Sequence, residues 1–249
     1  MSSLNSNFYH TLIEIANAVA KIPYLKSILK PIYYPVKKLF ANSQRNLFLE
    51  NGLSVLQQFD KCCEDNNIEY TLAFGTLLGA VREKGFIKHD FDIDVYIWAE
   101  QYSPEIPKLF REAGFKLIHS FLVEDGSIGR EETYEYNGVP IDIFYLFKDD
   151  GQYPYCCDFI TFNGCPTHRQ SMNKYGGVVA RRIELPISKN RIKTMFNGIE
   201  LYIPENAHEI LQFRYGNDYM IPNPSWSMGA ENPHIRKWVD KKAYYYETR

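Results

Sequence analysis

The spacing of apolar residues changes period several times along the chain, and each change predicts an element. From about Asn46 to Asn66, Leu49, Leu53, Leu56 and Phe59 share one helical face, and Asn66–Asn67 ends the run. Tyr70–Phe74 reads as a short strand that Gly75 breaks, and Thr76–Glu83 as a short helix closed by Gly85. Ile93–Trp98 predicts a strand, and Pro104–Ala113 a helix stopped by Gly114. Phe115–Phe121, Glu132–Tyr136 and Val139–Phe147 predict strands, the last two joined by an Asn137–Gly138 hairpin turn. The stretch 148–190 keeps no steady period and reads as a long irregular loop or an insertion. Ile192–Phe196 and Ile199–Ile203 flank a second turn at Asn197–Gly198. Pro204 then opens a helix to about Tyr215, which Gly216 caps. Residues 46–249 are therefore expected to form an α/β (α+β) domain, a small mixed β-sheet flanked by helices.

Residues 1–45 read as a separate basic amphipathic helical arm. No acidic residue occurs from Ile15 to Leu49, while Lys21, Lys26, Lys30, Lys37, Lys38 and Arg45 add charge. Leu25, Ile28, Leu29, Ile32, Tyr33, Val36, Leu39 and Phe40 recur at helical spacing, and Pro23, Pro31 and Pro35 are expected to cut the arm into short pieces. Such a segment suits either an anionic membrane surface, contacted through residues 21–45, or packing on protein.

Composition narrows the class. With 45% apolar and 23% charged residues, the chain is expected to be globular and not disordered. A net charge of −2 gives no support for a nucleic-acid partner. Five cysteines are an odd number in a chain that needs no staples, and Glu14 and Asn17 interrupt the early apolar run that a secretory signal requires. The expected location is cytoplasmic, with the arm allowing peripheral contact with the inner membrane face.

Candidate chemistry centres on Asp90–Phe91–Asp92–Ile93–Asp94. On a strand, carboxylates two residues apart share a face, where they repel each other and resist desolvation. A divalent cation relieves both, and Mg²⁺, with Mn²⁺ as a substitute, takes carboxylate and phosphate oxygens. An exposed edge strand with solvated aspartates gives the same spacing. Asp142, in the apolar run Val139–Phe144, is the best candidate for a third acid or a base; a hydrogen-bonded core aspartate is its plain alternative. Gly75–Thr76, after a strand and before a helix, suits a phosphate held by the hydroxyl and the first helical N–H groups, with Arg82 two turns on. A simple helix cap is the commoner meaning of such a pair. Lys174, Arg181, Arg182, Lys189, Arg191 and Lys193 form a basic stretch that either grips an anion or lies in solvent. Tyr219 and Trp226 either stack on a base or sugar or simply pack. Cys156, Cys157, Cys165 and His168 have the residue types for zinc but not the paired spacing, so reduced thiols are expected.

The segment GTLLGAVREKGFIKHDFDIDV (Gly75 to Val95) resembles the signature of the LicD/fukutin-related phosphotransferases. FNGIELYIPENAHEILQFRYGNDYMIPNP (Phe196 to Pro224) resembles that family's closing motif, so with Asp142 the resemblance covers about residues 46–226. It implies a nucleotidyltransferase-like fold. It also implies transfer of a phosphorylated alcohol, such as phosphocholine or ribitol phosphate, from a CDP-linked donor to a glycan or glycolipid hydroxyl. By resemblance Asp92, Asp94 and Asp142 are metal ligands, and Asp90 is a further catalytic acid. Gly75, Thr76, Arg82, Lys84, Arg181, Arg182, Tyr215 and Gly216 form the substrate-binding set. The chain departs from the family pattern at His89 and Phe91, where tryptophan and a further aspartate are frequent, and at Tyr219, where tryptophan is. If the strand is regular, His89 and Phe91 point away from the metal face.

Three other readings use the same residues. A nucleotidyltransferase would leave the nucleotide on its acceptor and release pyrophosphate. A glycosyltransferase would use Asp-x-Asp on a nucleotide sugar, against which the Gly–Thr helix start argues. A non-catalytic scaffold would not need all the acids.

Overall fold

The computed structural model describes residues 23–88, 90–223, 234–238 and 240–248, with residues 23–42 described by backbone alone. Helix α1 runs unbroken over Pro23–Asp65, across the expected boundary at residue 45. The prolines do not cut it: Pro23 opens the helix, where its missing N–H costs no ladder bond, and Pro31 and Pro35 each remove one N–H while the turns on both sides propagate. Of the expected basic arm, residues 1–22 and the side chains of residues 23–42 lie outside the described residues, as do His89 and Trp226. Among the described residues no helix is long and apolar enough to cross a membrane.

Eleven strands are described: β1 Tyr70–Leu72, β2 Asp94–Trp98, β3 Lys116–Val123, β4 Gly129–Tyr136, β5 Val139–Leu146, β6 Tyr155–Ile160, β7 Val179–Glu184, β8 Arg191–Phe196, β9 Ile199–Pro204, β10 Ile235–Lys237 and β11 Ala243–Glu247. They form a six-stranded sheet in the order β1-β2-β5-β4-β3-β11, a three-stranded sheet β10-β7-β6 and the hairpin β8-β9. In the large sheet β2 and β5 pair in parallel, so the sheet is mixed, as expected. Four further helices are α2 Phe74–Arg82, α3 Ile106–Glu112, α4 His168–Tyr175 and α5 Ala207–Tyr215.

Alternation along β5 sends Ile141, Ile143 and Tyr145 to one face and Asp142 and Phe144 to the other. The first face packs on α1 and α3, where the Phe59 ring meets Tyr70, Phe110 and Phe115 at centroid distances of 5.1, 5.3 and 6.1 Å. The α1 stripe differs from the expected one. Phe48, Val55, Leu56 and Phe59 are buried, and Leu49 is exposed. Both expected hairpin turns occur, with Asn137 and Gly138 at φ 51° and 77°, and Asn197 and Gly198 at 46° and 89°.

The stretch 148–190 is not an irregular loop. It folds as β6, α4 and β7, and β6–β7 with β10 make the second sheet. Its strands hide because they do not alternate: Tyr155, Cys156 and Cys157 are all buried, and the charged pair Arg181–Arg182 sits mid-strand. Cross-strand pairing explains the charge. Arg181 lies opposite Asp158 and grips it with two hydrogen bonds, one of 2.8 Å from Nε. The last helix also starts later than expected, at Ala207, with Pro204 ending β9.

Candidate active site

The second face of the large sheet, the β6–β7 sheet, α2 and the segment after α5 enclose a cavity of about 760 Å³. That volume suits a small-molecule ligand. Seven carboxyl side chains and two arginines line it: Asp90, Asp92, Asp94, Glu131, Asp142, Asp158 and Asp218, with Arg82 and Arg214. Gly75, Tyr215 and Tyr219 also line it.

The three aspartates of the central motif arrive there by a route that strand parity does not describe. β2 begins only at Asp94, so Asp90 and Asp92 sit on the loop before it. Asp94 is fixed by sheet register, opposite Asp142 across the parallel pair. Asp142 N–H donates to Ile93 O at 2.7 Å, and Ala73 N–H donates to Asp94 O at 2.9 Å. Phe91 turns away, its ring 5.8 Å from Phe48 and 5.9 Å from the Arg45 guanidinium carbon.

The expected Gly–Thr phosphate grip is corrected by the same geometry. α2 starts at Phe74, with Ala73 as its N-cap and no side-chain cap bond, so Gly75 and Thr76 lie inside the helix. Thr76 is buried, and its Oγ1 accepts the Asp94 N–H at 3.0 Å. It ties α2 to β2 and is not among the cavity-lining residues. Gly75 is needed for space: a Cβ there would fall 1.9 Å from Asp90 Oδ2. Phe74 holds φ at 39°, an unusual conformation for a bulky residue, and its ring packs against Phe144 at 4.8 Å.

The remaining expected substrate groups divide. Arg82 reaches the cavity wall, where Nε donates to Glu83 at 2.8 Å and Nη1 to Tyr219 O at 3.3 Å. Tyr215 lines the cavity, and burial pushes its phenol up to about 12. Lys84 is exposed with φ 57° and ends α2's turn, and Gly216 caps α5 at φ 95°; neither lines the cavity. Arg181 is engaged with Asp158, and Arg182 with Asp149 and over the Tyr155 ring at 3.7 Å. Lys189, Arg191 and Lys193 pair with Glu100, Glu69 and Glu64. The basic stretch therefore knits the surface instead of lining the cavity. Cys156, Cys157 and Cys165 are buried thiols outside any disulfide, and His168 Nε2 lies 3.1 Å from Phe159 O.

Four charged lining groups escaped sequence reasoning: Asp158, Asp218, Arg214 and Glu131. Arg214 is buried on α5, stacks over Phe74 at 4.2 Å and opposes the charge on Asp94. Glu131 is buried on β4, and among the described residues its Oε2 has no hydrogen-bond partner. Its neighbour makes the contrast: Glu132 accepts from Tyr134, Tyr145 and Arg130, so it is a satisfied core carboxylate, whereas Glu131 faces the cavity. The period-2 alternation of Glu131, Thr133 and Glu135 is the signal that would have found it.

Crowding sets the electrostatics. Burial raises the Asp94 carboxyl well above its ordinary range, and the charges of Asp92, Asp142 and Asp90 raise it further. Burial, then a hydrogen bond with Asp92 and its charge, lifts Asp90 to about 8. Burial lifts Asp142 to about 6 against the Thr133 hydroxyl, which donates to Oδ1 at 2.5 Å. Glu131 is raised by burial and by Asp142, Asp158 and Asp94. Among the described residues no three His, Cys, Asp or Glu side chains are already set around one metal position. The donor set is nevertheless all oxygen and includes a buried orphan, which is what a hard divalent cation takes.

A carboxyl whose folded-state value lies above its unfolded one binds extra protons when folded. Its penalty is absent below the unfolded value and grows as pH rises through the folded one. For Asp142 that window runs from 3.8 to about 6. In EDTA, Asp142→Asn is therefore expected to be more stable than the unsubstituted protein at pH 8, by up to about 3 kcal/mol, with the gap closing by pH 4. Urea unfolding at the two pH values checks this; a gap that does not depend on pH would contradict it.

A family profile described as "LicD/FKTN/FKRP, nucleotidyltransferase domain" matches residues 67–206, more than half of the chain. The chain belongs to the LicD/FKTN/FKRP family. The matched region holds Gly75, Asp90, Asp92, Asp94, Glu131 and Asp142, but ends before Arg214 and Tyr215. Among curated relatives, ribitol-5-phosphate transferase FKTN of Mus musculus is 25% identical over 191 residues, covering 76% of this chain and 38% of the relative. The human FKTN is 22% identical over 192 residues, with 76% and 37% covered. Lipopolysaccharide cholinephosphotransferase LicD of Haemophilus influenzae is 45% identical over 77 residues, 31% of this chain and 28% of the relative. The chain thus spans well under half the length of each of these relatives.

Proposed function

We propose that this LicD-family protein is a phosphotransferase that moves a phosphorylated alcohol from a CDP-linked donor to a hydroxyl of a cell-surface glycan or its lipid-linked precursor. The observation that carries the reading is the convergence of Asp90, Asp92, Asp94, Asp142 and Glu131 on one cavity beside Arg82 and Arg214. Relatives named as ribitol-5-phosphate and choline-phosphate transferases support the phosphorylated alcohol. Asp92, Asp94 and Asp142 would hold Mg²⁺, or Mn²⁺ in its place, which when bound supplies charge neutralisation for a pyrophosphate.

The chain's own residues do the rest. Arg82 and Arg214 place positive charge on the wall where donor phosphates must lie. Asp90, raised to about 8, is suited to take the acceptor's proton near neutral pH. The acceptor oxygen attacks the distal phosphorus, its P–O bond forms as the bond to the bridging oxygen breaks, and that oxygen leaves with CMP. The apolar wall of Phe74, Leu78, Phe144 and Phe159 keeps bulk water from competing as the acceptor.

A thermal-shift screen tests the reading. CDP-choline, CDP-ribitol and related donors are expected to raise the melting temperature only when Mg²⁺ is present. Equal stabilisation by CDP-linked donors with and without the metal would contradict the metal-dependent site, and no stabilisation by any of them would contradict the donor class.

A further inference from the structure

The carboxylate of Asp142 is one member of a polar row that crosses the large sheet. In register, Asp94 lies opposite Asp142, Asp142 opposite Thr133, and Thr133 opposite His119. Side chains directly opposite one another stand on the same face, so the four groups form a line running from β2 to β3. The line is hydrogen-bonded over its second half. Thr133 Oγ1 donates to Asp142 Oδ1 at 2.5 Å and lies 2.9 Å from His119 Nε2.

A local irregularity creates the last link. Between Leu117 and His119 the β3–β4 register shifts: Leu117 pairs with Tyr134 and His119 with Thr133, so Ile118 is an extra residue. Without that bulge Ile118 would stand opposite Thr133, and the imidazole would face the other way. A bulge that re-aims one side chain beside a reactive group is a known use of the device.

Proton counting gives the row a direction. A threonine hydroxyl has one proton. Thr133 gives it to Asp142, so its oxygen must accept from His119, which requires the Nε2–H tautomer. The imidazole is held among Phe121, Tyr245 and His168, an environment that lowers its affinity for a second proton.

We propose that Thr133 and His119 are positioning residues for Asp142. His119 orients the Thr133 hydroxyl, and that hydroxyl pins Oδ1, leaving Oδ2 as the oxygen Asp142 presents to the cavity. This rests on the reading of Asp142 as a cation-holding carboxylate, and it deepens that reading by adding the groups that aim it.

Two measurements on the full chain test it. Long-range ¹H–¹⁵N spectra of the metal-free protein are expected to show His119 neutral at pH 7, protonated at Nε2 and bare at Nδ1. The opposite tautomer would overturn the proposal, and so would an imidazolium. Mn²⁺ titration followed by electron paramagnetic resonance is expected to show Thr133→Val weakening binding about 10- to 100-fold, as loss of a partner that orients a ligand does, with Thr133→Ser restoring most of it. His119→Leu should weaken binding in the same sense, and the double variant should be no worse than Thr133→Val alone, because the two act through one bond. Unchanged Mn²⁺ affinity in Thr133→Val, or additive losses in the double variant, overturns the proposal. Asp142→Asn separates the two levels. If it too leaves affinity unchanged, the reading of Asp142 itself fails. If it weakens binding while Thr133→Val does not, only the positioning row fails.

Discussion

Asp94→Asn is expected to lower turnover of a CDP-linked donor by about 10³-fold or more, the scale of losing a preorganised charged group at a transferring phosphoryl centre. Its fold should survive. Asp94 is buried among Asp92, Asp142 and Asp90, whose charges raise its carboxyl, and Arg214 opposes them. An isosteric amide removes one member of that repulsion and keeps the backbone bonds to Ala73 and Thr76, which use the Asp94 carbonyl and N–H. Melting in EDTA should therefore be unchanged or higher. Loss of activity with a raised melting temperature marks a residue kept for function against stability. Near-normal turnover would remove Asp94 from the site, and a collapsed melting temperature would make it a structural group.

Gly75→Ala separates position from fold in a second way. Gly75 lies within α2, and no positive φ restricts it, so alanine is allowed by the backbone and favoured by helix propensity by about 1 kcal/mol. What it lacks is room: the new methyl falls 1.9 Å from Asp90 Oδ2 and 3.0 Å from its Cγ. Asp90 must move, and with it the carboxyl read here as the base. Turnover should fall about 100-fold, as expected for a displacement of order 1 Å at a reacting group, while urea unfolding shows no loss of stability. Turnover equal to that of the unsubstituted protein would mean that Asp90's position does not matter. A large loss of stability would mean that the clash is relieved by shifting the helix instead.

These two variants also mark what the sequence made legible. The acids themselves were readable, because aspartates spaced by two in an apolar context are costly without a role. Their arrangement was only half readable. Parity placed Asp94 correctly, yet Asp90 and Asp92 come from a loop, which alternation does not describe. Thr76 shows the limit of a local motif. A glycine–threonine pair at a helix start looks like an anion grip, but the hydroxyl is taken by Asp94 N–H, a partner 18 residues away that only the folded chain brings near. The β6–β7 sheet was invisible for a related reason. Its arginines read as an anion grip or a solvent-facing run until cross-strand register supplied Asp158 for Arg181. Glu131 was missed because it stands next to Glu132 in sequence, and only burial and partnering distinguish the orphan from the satisfied carboxylate. Hairpins whose turn chemistry is strictly local were placed correctly, as was the α5 cap at Gly216.

The identity of the transferred group separates phosphotransfer from nucleotidyl transfer. Incubating the protein with Mg²⁺, a CDP-linked alcohol and a glycan acceptor, and following products by ³¹P NMR and mass spectrometry, tests it directly. The expected products are CMP in solution and an acceptor heavier by one phosphorylated alcohol. Pyrophosphate release from a nucleoside triphosphate, with a nucleotide left on the acceptor, would contradict it.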